Sequence, residues 1–147
     1  MTDWLLDTNI ISELRRPRPE AKVVCFVANQ PLDRLFISVV TLAEIRYGIE
    51  VVNDPARRSD LGDWLTNKLR PLFEHRILHI DEDVIFKWRL LVEEGRKSGH
   101  TYSQPDLFIA ATALHHGLTI VTRDVEDYRR TRAPVLNPWS DGLPGAE

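Results

Sequence analysis

Short apolar runs alternating with helix-length stretches constrain this chain more than any other feature of its sequence. Trp4-Leu5-Leu6, Leu35-Phe36-Ile37, Ile77-Leu78-His79-Ile80 and Leu118-Thr119-Ile120-Val121 are brief, largely apolar and rich in residues that suit buried strands. Pro134-Val135-Leu136 adds a fifth, suited to a sheet edge. Parallel strands need crossover connections, and the stretches between these runs have the length and spacing of helices. The alternation therefore predicts an α/β domain with right-handed crossovers and a central parallel sheet of about five short strands flanked by helices.

Local signals place the helices. Residues 8–14 form a short helix closed by Pro17 and Pro19, and residues 20–30 a second, ended by Pro31. Thr41 and Glu44 have the spacing of a capping box, which starts a helix over residues 42–49. After the turn Asn53-Asp54-Pro55, the residues Leu61, Trp64, Leu65, Leu69 and Leu72 recur at three and four, with Pro71 ending or bending that helix near Phe73. Residues 83–97 form the next, stopped by Gly99. In residues 105–114, proline occupies the tolerant first turn, Gly117 follows the end, and apolar side chains extend almost around the helix, so it should be deeply buried. Residues 124–128 make a last short helix.

A chain of 147 residues with 43% hydrophobic content can bury one core without staples, so a single domain over residues 1–140 is expected. Residues 141–147, with two glycines and a proline, are expected to form a flexible tail. The lone Cys25 excludes an intrachain disulfide and suits a reducing compartment. Its setting, Val23-Val24-Cys25-Phe26-Val27, predicts a small buried hydrophobe. No apolar run approaches the ~20 residues that span a bilayer, and Met1-Thr2-Asp3 lacks the features of a signal peptide, so a cytoplasmic protein is expected. A net charge of -3 provides no global attraction for nucleic acid. Any such attraction must be local, at Arg15-Arg16-Pro17-Arg18, Arg57-Arg58 or Arg129-Arg130-Thr131-Arg132.

Four acids recur at comparable places: Asp7, Glu44, Asp106 and Asp124 each follow a strand-like run or fall in the first turn of a helix. Each has an ordinary structural use. Asp7 and Asp124 suit N-caps, Glu44 the capping box, and Asp106 the positive end of a helix macrodipole. In a parallel sheet, however, the carboxyl ends share one edge, and acids just beyond them converge in one crevice. Converged carboxylates need a cation. Oxygen ligands suit magnesium, and metal-assisted water attack makes phosphodiester cleavage the chemistry to expect. Thr8, Asn9 and Thr122 stand beside the acids as candidates to hold a water or a substrate phosphate. Histidines 75, 79, 100, 115 and 116 form no zinc spacing with Cys25, and the adjacent His115 and His116 should splay apart on the surface.

The chain resembles the PIN-domain family, specifically the VapC-like toxins of bacterial type II toxin–antitoxin modules and their FitB-like branch. The resemblance rests on Leu5-Leu6-Asp7-Thr8-Asn9-Ile10-Ile11-Ser12-Glu13, on Ile37-Ser38-Val39-Val40-Thr41-Leu42-Ala43-Glu44-Ile45-Arg46-Tyr47-Gly48, and on Asp106-Leu107-Phe108-Ile109-Ala110-Ala111-Thr112-Ala113. Thr119-Ile120-Val121-Thr122-Arg123-Asp124 and Val135-Leu136-Asn137-Pro138-Trp139 complete it.

That resemblance implies a three-layer PIN-like fold with an acidic metal site on Asp7, Glu44, Asp106 and Asp124. Thr122 would assist, and Asp127, which follows the same strand as Asp124, is a second candidate near it. Ser103-Gln104-Pro105 depart from the small or acidic residues often found there, which puts in doubt an extra outer acid. The resemblance further implies an endoribonuclease dependent on Mg(2+) or Mn(2+), a homodimer, and neutralisation by a small DNA-binding antitoxin. Such an antitoxin lays a helix in an apolar groove, places an arginine among the acids and brings the complex to operator DNA. Arg15, Arg16 and Lys68 are candidates for RNA contact, and Leu61, Trp64 and Leu65 for a dimer face. A different class of function stays open, a weakly or non-catalytic corepressor whose acids serve to grip the antitoxin. A phosphoryl-transfer enzyme with Asp7 as nucleophile fits less well, because Asn9 stands where a second acid is usual.

Overall fold

The computed structural model describes residues 1–141; the tail expected over residues 141–147 therefore lies, beyond Asp141, outside the described residues. Five parallel strands form the sheet in the order β3-β2-β1-β4-β5: β1 Trp4–Leu6, β2 Leu35–Ser38, β3 Ile77–Leu78, β4 Thr119–Val121 and β5 Val135–Leu136. Leu5 pairs with Phe36 on one side and Ile120 on the other, which makes β1 central. Its side chains alternate between two cores. Trp4 and Leu6 pack with Ile10, Phe26, Ile37 and Leu69, whereas Leu5 packs with Val84, Ala110 and Tyr128 on the opposite face. Helices thus cover both faces, giving the three layers expected.

Among the described residues, eight α-helices connect the strands: α1 Thr8–Arg15, α2 Ala21–Ala28, α3 Val39–Glu50, α4 Pro55–Trp64, α5 Arg70–Leu72, α6 Glu82–Lys97, α7 Gln104–His116 and α8 Val125–Tyr128. The helix α7 is buried as its composition predicts, with Leu107, Ile109, Ala110, Ala111, Thr112 and Ala113 all inside, and Gly117 ends it at φ 70°. That left-handed conformation is one glycine adopts without the steric cost of a Cβ.

Several local expectations are corrected. The helix α3 begins at Val39, three residues before the expected start at Leu42, because Ser38 at the end of β2 accepts from Val40 N at 3.0 Å. Thr41 is therefore already helical and buried, and Glu44 stands beyond the first turn, where it caps nothing. The helix carrying Pro71 does end near Phe73, as expected: a π turn over Leu65–Leu69, closed by Arg70 N donating to Leu65 O, precedes the proline, α5 ends at Leu72 and Phe73 is its C-cap. Proline brings no N–H to that ladder, so a local change in bonding register accommodates it. Strand β3 closes at Leu78, short of Ile80, and Asp81 caps α6 by accepting from Val84 N at 3.0 Å.

Cys25 is exposed; Val23 and Phe26 hold the inward positions of α2 and turn it outward. The His115 and His116 rings are exposed but not splayed, meeting edge to face with centroids 4.7 Å apart. Leu65 is only 6% exposed, spent in its own core, so the dimer face suggested by Leu61, Trp64 and Leu65 is not available as a unit. Among the described residues, no helix is long and apolar enough to cross a membrane.

Candidate metal centre

Strand order reverses between β1 and β4, and the crevice beyond their carboxyl ends is where α/β sheets bind ligands. Here that crevice encloses about 630 Å³, and Asp7, Glu44, Asp106 and Asp124 all line it. Each arrives from a different segment: Asp7 follows β1, Glu44 projects from α3, Asp106 lies in the first turn of α7, and Asp124 follows β4. Helices antiparallel to the strands bring their N-termini to this edge, which is how Asp106, distant from any preceding strand, reaches the same place.

Asp7 is the most constrained of the four. It is 7% exposed, its Oδ1 accepts from Thr8 N at 2.8 Å, and its Oδ2 accepts from Thr122 Oγ1 and Tyr128 Oη, each at 2.9 Å. Burial pushes its pKa up against the pull of these three donors. Asp106, with Tyr128 Oη 3.3 Å from its Oδ1, is pushed up to about 6, chiefly by burial and then by the charges of Asp7 and Asp127. Two carboxyls raised in this way are poised for a cation, which would favour the ionised form that burial penalises.

Asp124 is exposed and joined to the others through Asn9, whose amide donates to Asp124 Oδ2 and Thr122 Oγ1, both at 3.1 Å. Asn9 Oδ1 accepts from Arg123 N at 3.2 Å, and Thr122 Oγ1 from Asp124 N at 3.0 Å. The threonine hydroxyl thus donates once and accepts twice, its full capacity. Asp124 occupies the cap position of α8 but makes no cap bond, so its carboxylate belongs to the crevice. Glu44 is exposed on the facing wall, and none of the described hydrogen bonds or ion pairs engages it.

The remaining candidates divide. Thr8, Asn9 and Arg16 line the crevice, with Arg16 Nη1 3.2 Å from Glu13 Oε1, and Thr122 sits buried beneath it. Arg15 does not, because one residue's rotation about α1 carries it over the Trp64 ring, 5.3 Å from the centroid, where it lines an apolar groove together with Lys68. Asp127 does not line the crevice, and its negative charge helps push the Asp106 carboxyl up.

Sequence reasoning missed Glu13, Tyr128, Arg123 and Trp139. Glu13 is 6% exposed in the crevice wall, and its carboxyl is held low first by the bond from Glu20 N, 2.9 Å from Oε2. Its helical spacing from Asn9 and Arg16 was a signal that could have found it. Arg123 lies over the Trp139 ring, 5.1 Å from the centroid, at the crevice mouth. Tyr128 carried no such signal.

The donor set fits a hard cation, since the crevice acids offer oxygen alone. They are not drawn tightly together. Among the described residues, the group whose ligand atoms all lie within 4.8 Å of one another is instead Asp81, Asp83 and His115, exposed at the end of α7 opposite Asp106. A looser set of acids suits an ion gripped partly through water, as magnesium prefers.

Comparison with known proteins is consistent with this geometry. The model of a family described as PIN domain matches residues 4–133. The chain is 36% identical over 137 residues to Toxin FitB of Neisseria gonorrhoeae, covering 93% of this chain and 99% of that one. It is 32% identical over 135 residues to VapC ribonuclease Y4jK of Sinorhizobium fredii, covering 92% and 96%. Among solved structures, the FitAcB crystal structure from Neisseria gonorrhoeae superposes with a TM-score of 0.89 at 35% identity, covering 94% of this chain and 99% of that one. FitAB bound to an IR36 DNA fragment gives 0.88 at 33%, covering 95% and 97%.

Proposed function

The chain belongs to the PIN-domain family, and on that premise we propose that it is the toxin of a type II toxin–antitoxin module, an endoribonuclease using Mg(2+) or Mn(2+). One observation carries the reading. Four acids from four separate segments line one crevice at the carboxyl edge of the sheet, and the deepest two are raised toward neutrality by burial.

Asp7 and Asp106 would hold the ion, with Glu44 and Asp124 completing its surroundings directly or through water. Such an ion, when bound, supplies the positive charge that activates water and stabilises the leaving oxygen of a phosphodiester. The chain's own residues do the rest. Thr122 and Asn9 fix Asp7 and Asp124 relative to each other. Arg16 and Arg123 bring guanidinium groups to the rim, where they can fork onto phosphate oxygens as the RNA backbone enters. Glu13 holds Arg16 and moderates its charge.

The partner follows from a second surface. Ile11, Leu14, Val27, Trp64 and Leu72 line an apolar groove of about 170 Å³, suited to the apolar face of a cognate antitoxin helix. The antitoxin would carry the DNA-binding element, so operator DNA is met through the complex, which includes a toxin homodimer. The cytoplasm, where RNA and antitoxin are made, is the proposed place of action.

Mapping cleavage sites in total RNA after induction tests the reading. Discrete cuts are expected with the wild type and none with Asp7→Asn, while antitoxin binding persists in both. Identical RNA patterns would reject the ribonuclease and favour the corepressor.

A further inference from the structure

We propose that Tyr128 is a positioning residue of the acidic crevice, locking Asp7 in one orientation so that it presents a single oxygen, Oδ1, to the cation; this rests on the metal-site reading above. The phenol is fully buried, with its Oη 2.9 Å from Asp7 Oδ2 and 3.3 Å from Asp106 Oδ1.

Counting lone pairs gives the orientation. A carboxylate has about four acceptor directions, two on each oxygen. Tyr128 and Thr122 occupy Oδ2, and Thr8 N occupies one direction of Oδ1. One direction remains, on Oδ1. Asp7 is therefore built to bind through one oxygen, which suits an ion that takes one or two direct carboxylates and keeps its waters.

Counting protons gives the division of labour between the acids. Tyr128 has one hydroxyl hydrogen and two carboxyl neighbours. The shorter contact assigns it to Asp7, so Asp106 is held less firmly and is the acid free to adjust when a cation arrives.

The phenol is itself held in place. Thr131 Oγ1 donates to Tyr128 O at 2.6 Å and accepts from Ala133 N at 3.2 Å, closing the turn behind it. Arg132 stands in that turn at φ 67°. Side-chain packing alone does not require the hydroxyl, since a phenylalanine would fill the same space between Leu5, Ala110 and Val84.

Calorimetric Mn(2+) titration of the intact chain tests this, with Tyr128→Phe as the variant and the metal-free melting temperature as the check on folding. Outer residues that orient metal ligands typically change affinity about 10–100-fold, and a loss in that range is expected for Tyr128→Phe at an unchanged fold. In an Asp7→Asn background the same substitution should have little further effect, because the carboxylate it orients is gone. A purely packing role predicts equal Mn(2+) affinity with and without the hydroxyl, and that result overturns the proposal. If the wild type binds no Mn(2+), the metal-site reading fails and the proposal with it, an outcome distinct from equal binding by both proteins. Fluorotyrosine incorporation offers a readout with the fold kept. The ¹⁹F resonance assigned to position 128 should shift as Mg(2+) is added, and an unmoved resonance beside saturable Mg(2+) binding would also overturn the proposal.

Discussion

One helix carries two surfaces of opposite character. Thr8, Asn9, Ser12, Glu13 and Arg16 of α1 and its C-cap face the acidic crevice, whereas Ile11, Leu14 and Arg15 face the apolar groove beside Trp64 and Leu72. The crevice is governed by charge, with the carboxyls of Asp7 and half-buried Asp106 pushed up by burial and joined in a hydrogen-bonded web. The groove is governed by area, with Leu32 and Leu72 each 48% exposed at its lip. Residues a single position apart, such as Arg15 and Arg16, therefore lie on different surfaces, and under the proposed function the crevice serves phosphodiester cleavage and the groove serves capture of a partner. A partner seated in the groove would be separated from the acids by α1, whose residues line both surfaces.

Substitutions should separate the two surfaces. Asp7→Asn, which removes the charge of the most constrained of the four crevice acids, should lower cleavage by about a hundredfold to a thousandfold, the range seen when a group stabilising the reaction is lost. Antitoxin affinity, measured by calorimetry, should stay within a few-fold. The reverse pattern is expected for Leu32→Ala combined with Leu72→Ala. Both side chains are half exposed, so the fold should tolerate their loss, while partner affinity falls about tenfold or more and cleavage of free RNA is unchanged. Equal damage to both activities by either variant would break the comparison.

The arginine pair gives a finer division. Arg16→Ala should raise KM for an oligoribonucleotide several-fold in steady-state assays, whereas Arg15→Ala should leave KM unaltered and weaken partner binding instead.

The smallest effect concerns pH. With Asp106 raised from its ordinary 3.8 to about 6, the folded chain retains a proton that the unfolded chain has released across that interval. The group's contribution to stability is complete below 3.8 and is lost as pH rises through about 6. Asp7, also raised, acts in the same direction. In chelator the melting temperature should accordingly fall across this window by more in the wild type than in Asp106→Asn, and excess Mg(2+) or Mn(2+) should restore it at the alkaline end.

Much of this was legible in the sequence because it depends on period and position. The apolar runs of β1, β2 and β4 and the proline and glycine at the ends of α7 are local signals, and they placed the sheet and the acids at its edge. The helix start at Ser38 was less legible, because Thr41 with Glu44 offers a competing local signal and only tertiary placement decides between them. Cys25 read as core because its neighbours are apolar, yet α2 buries only the stripe through Val23 and Phe26. Tyr128 was invisible for a different reason. Its role depends on a hydroxyl brought 121 positions in sequence from Asp7, a contact with no periodic trace.

The central claim, that the acidic crevice is a cation-dependent nuclease site, is tested most directly by incubating purified protein with RNA and Mn(2+), with and without excess chelator, beside Asp7→Asn. The account predicts cleavage by the wild type with Mn(2+) alone, silenced both by chelator and by Asp7→Asn. Cleavage that persists in chelator, or that survives Asp7→Asn at the wild-type rate, would contradict it.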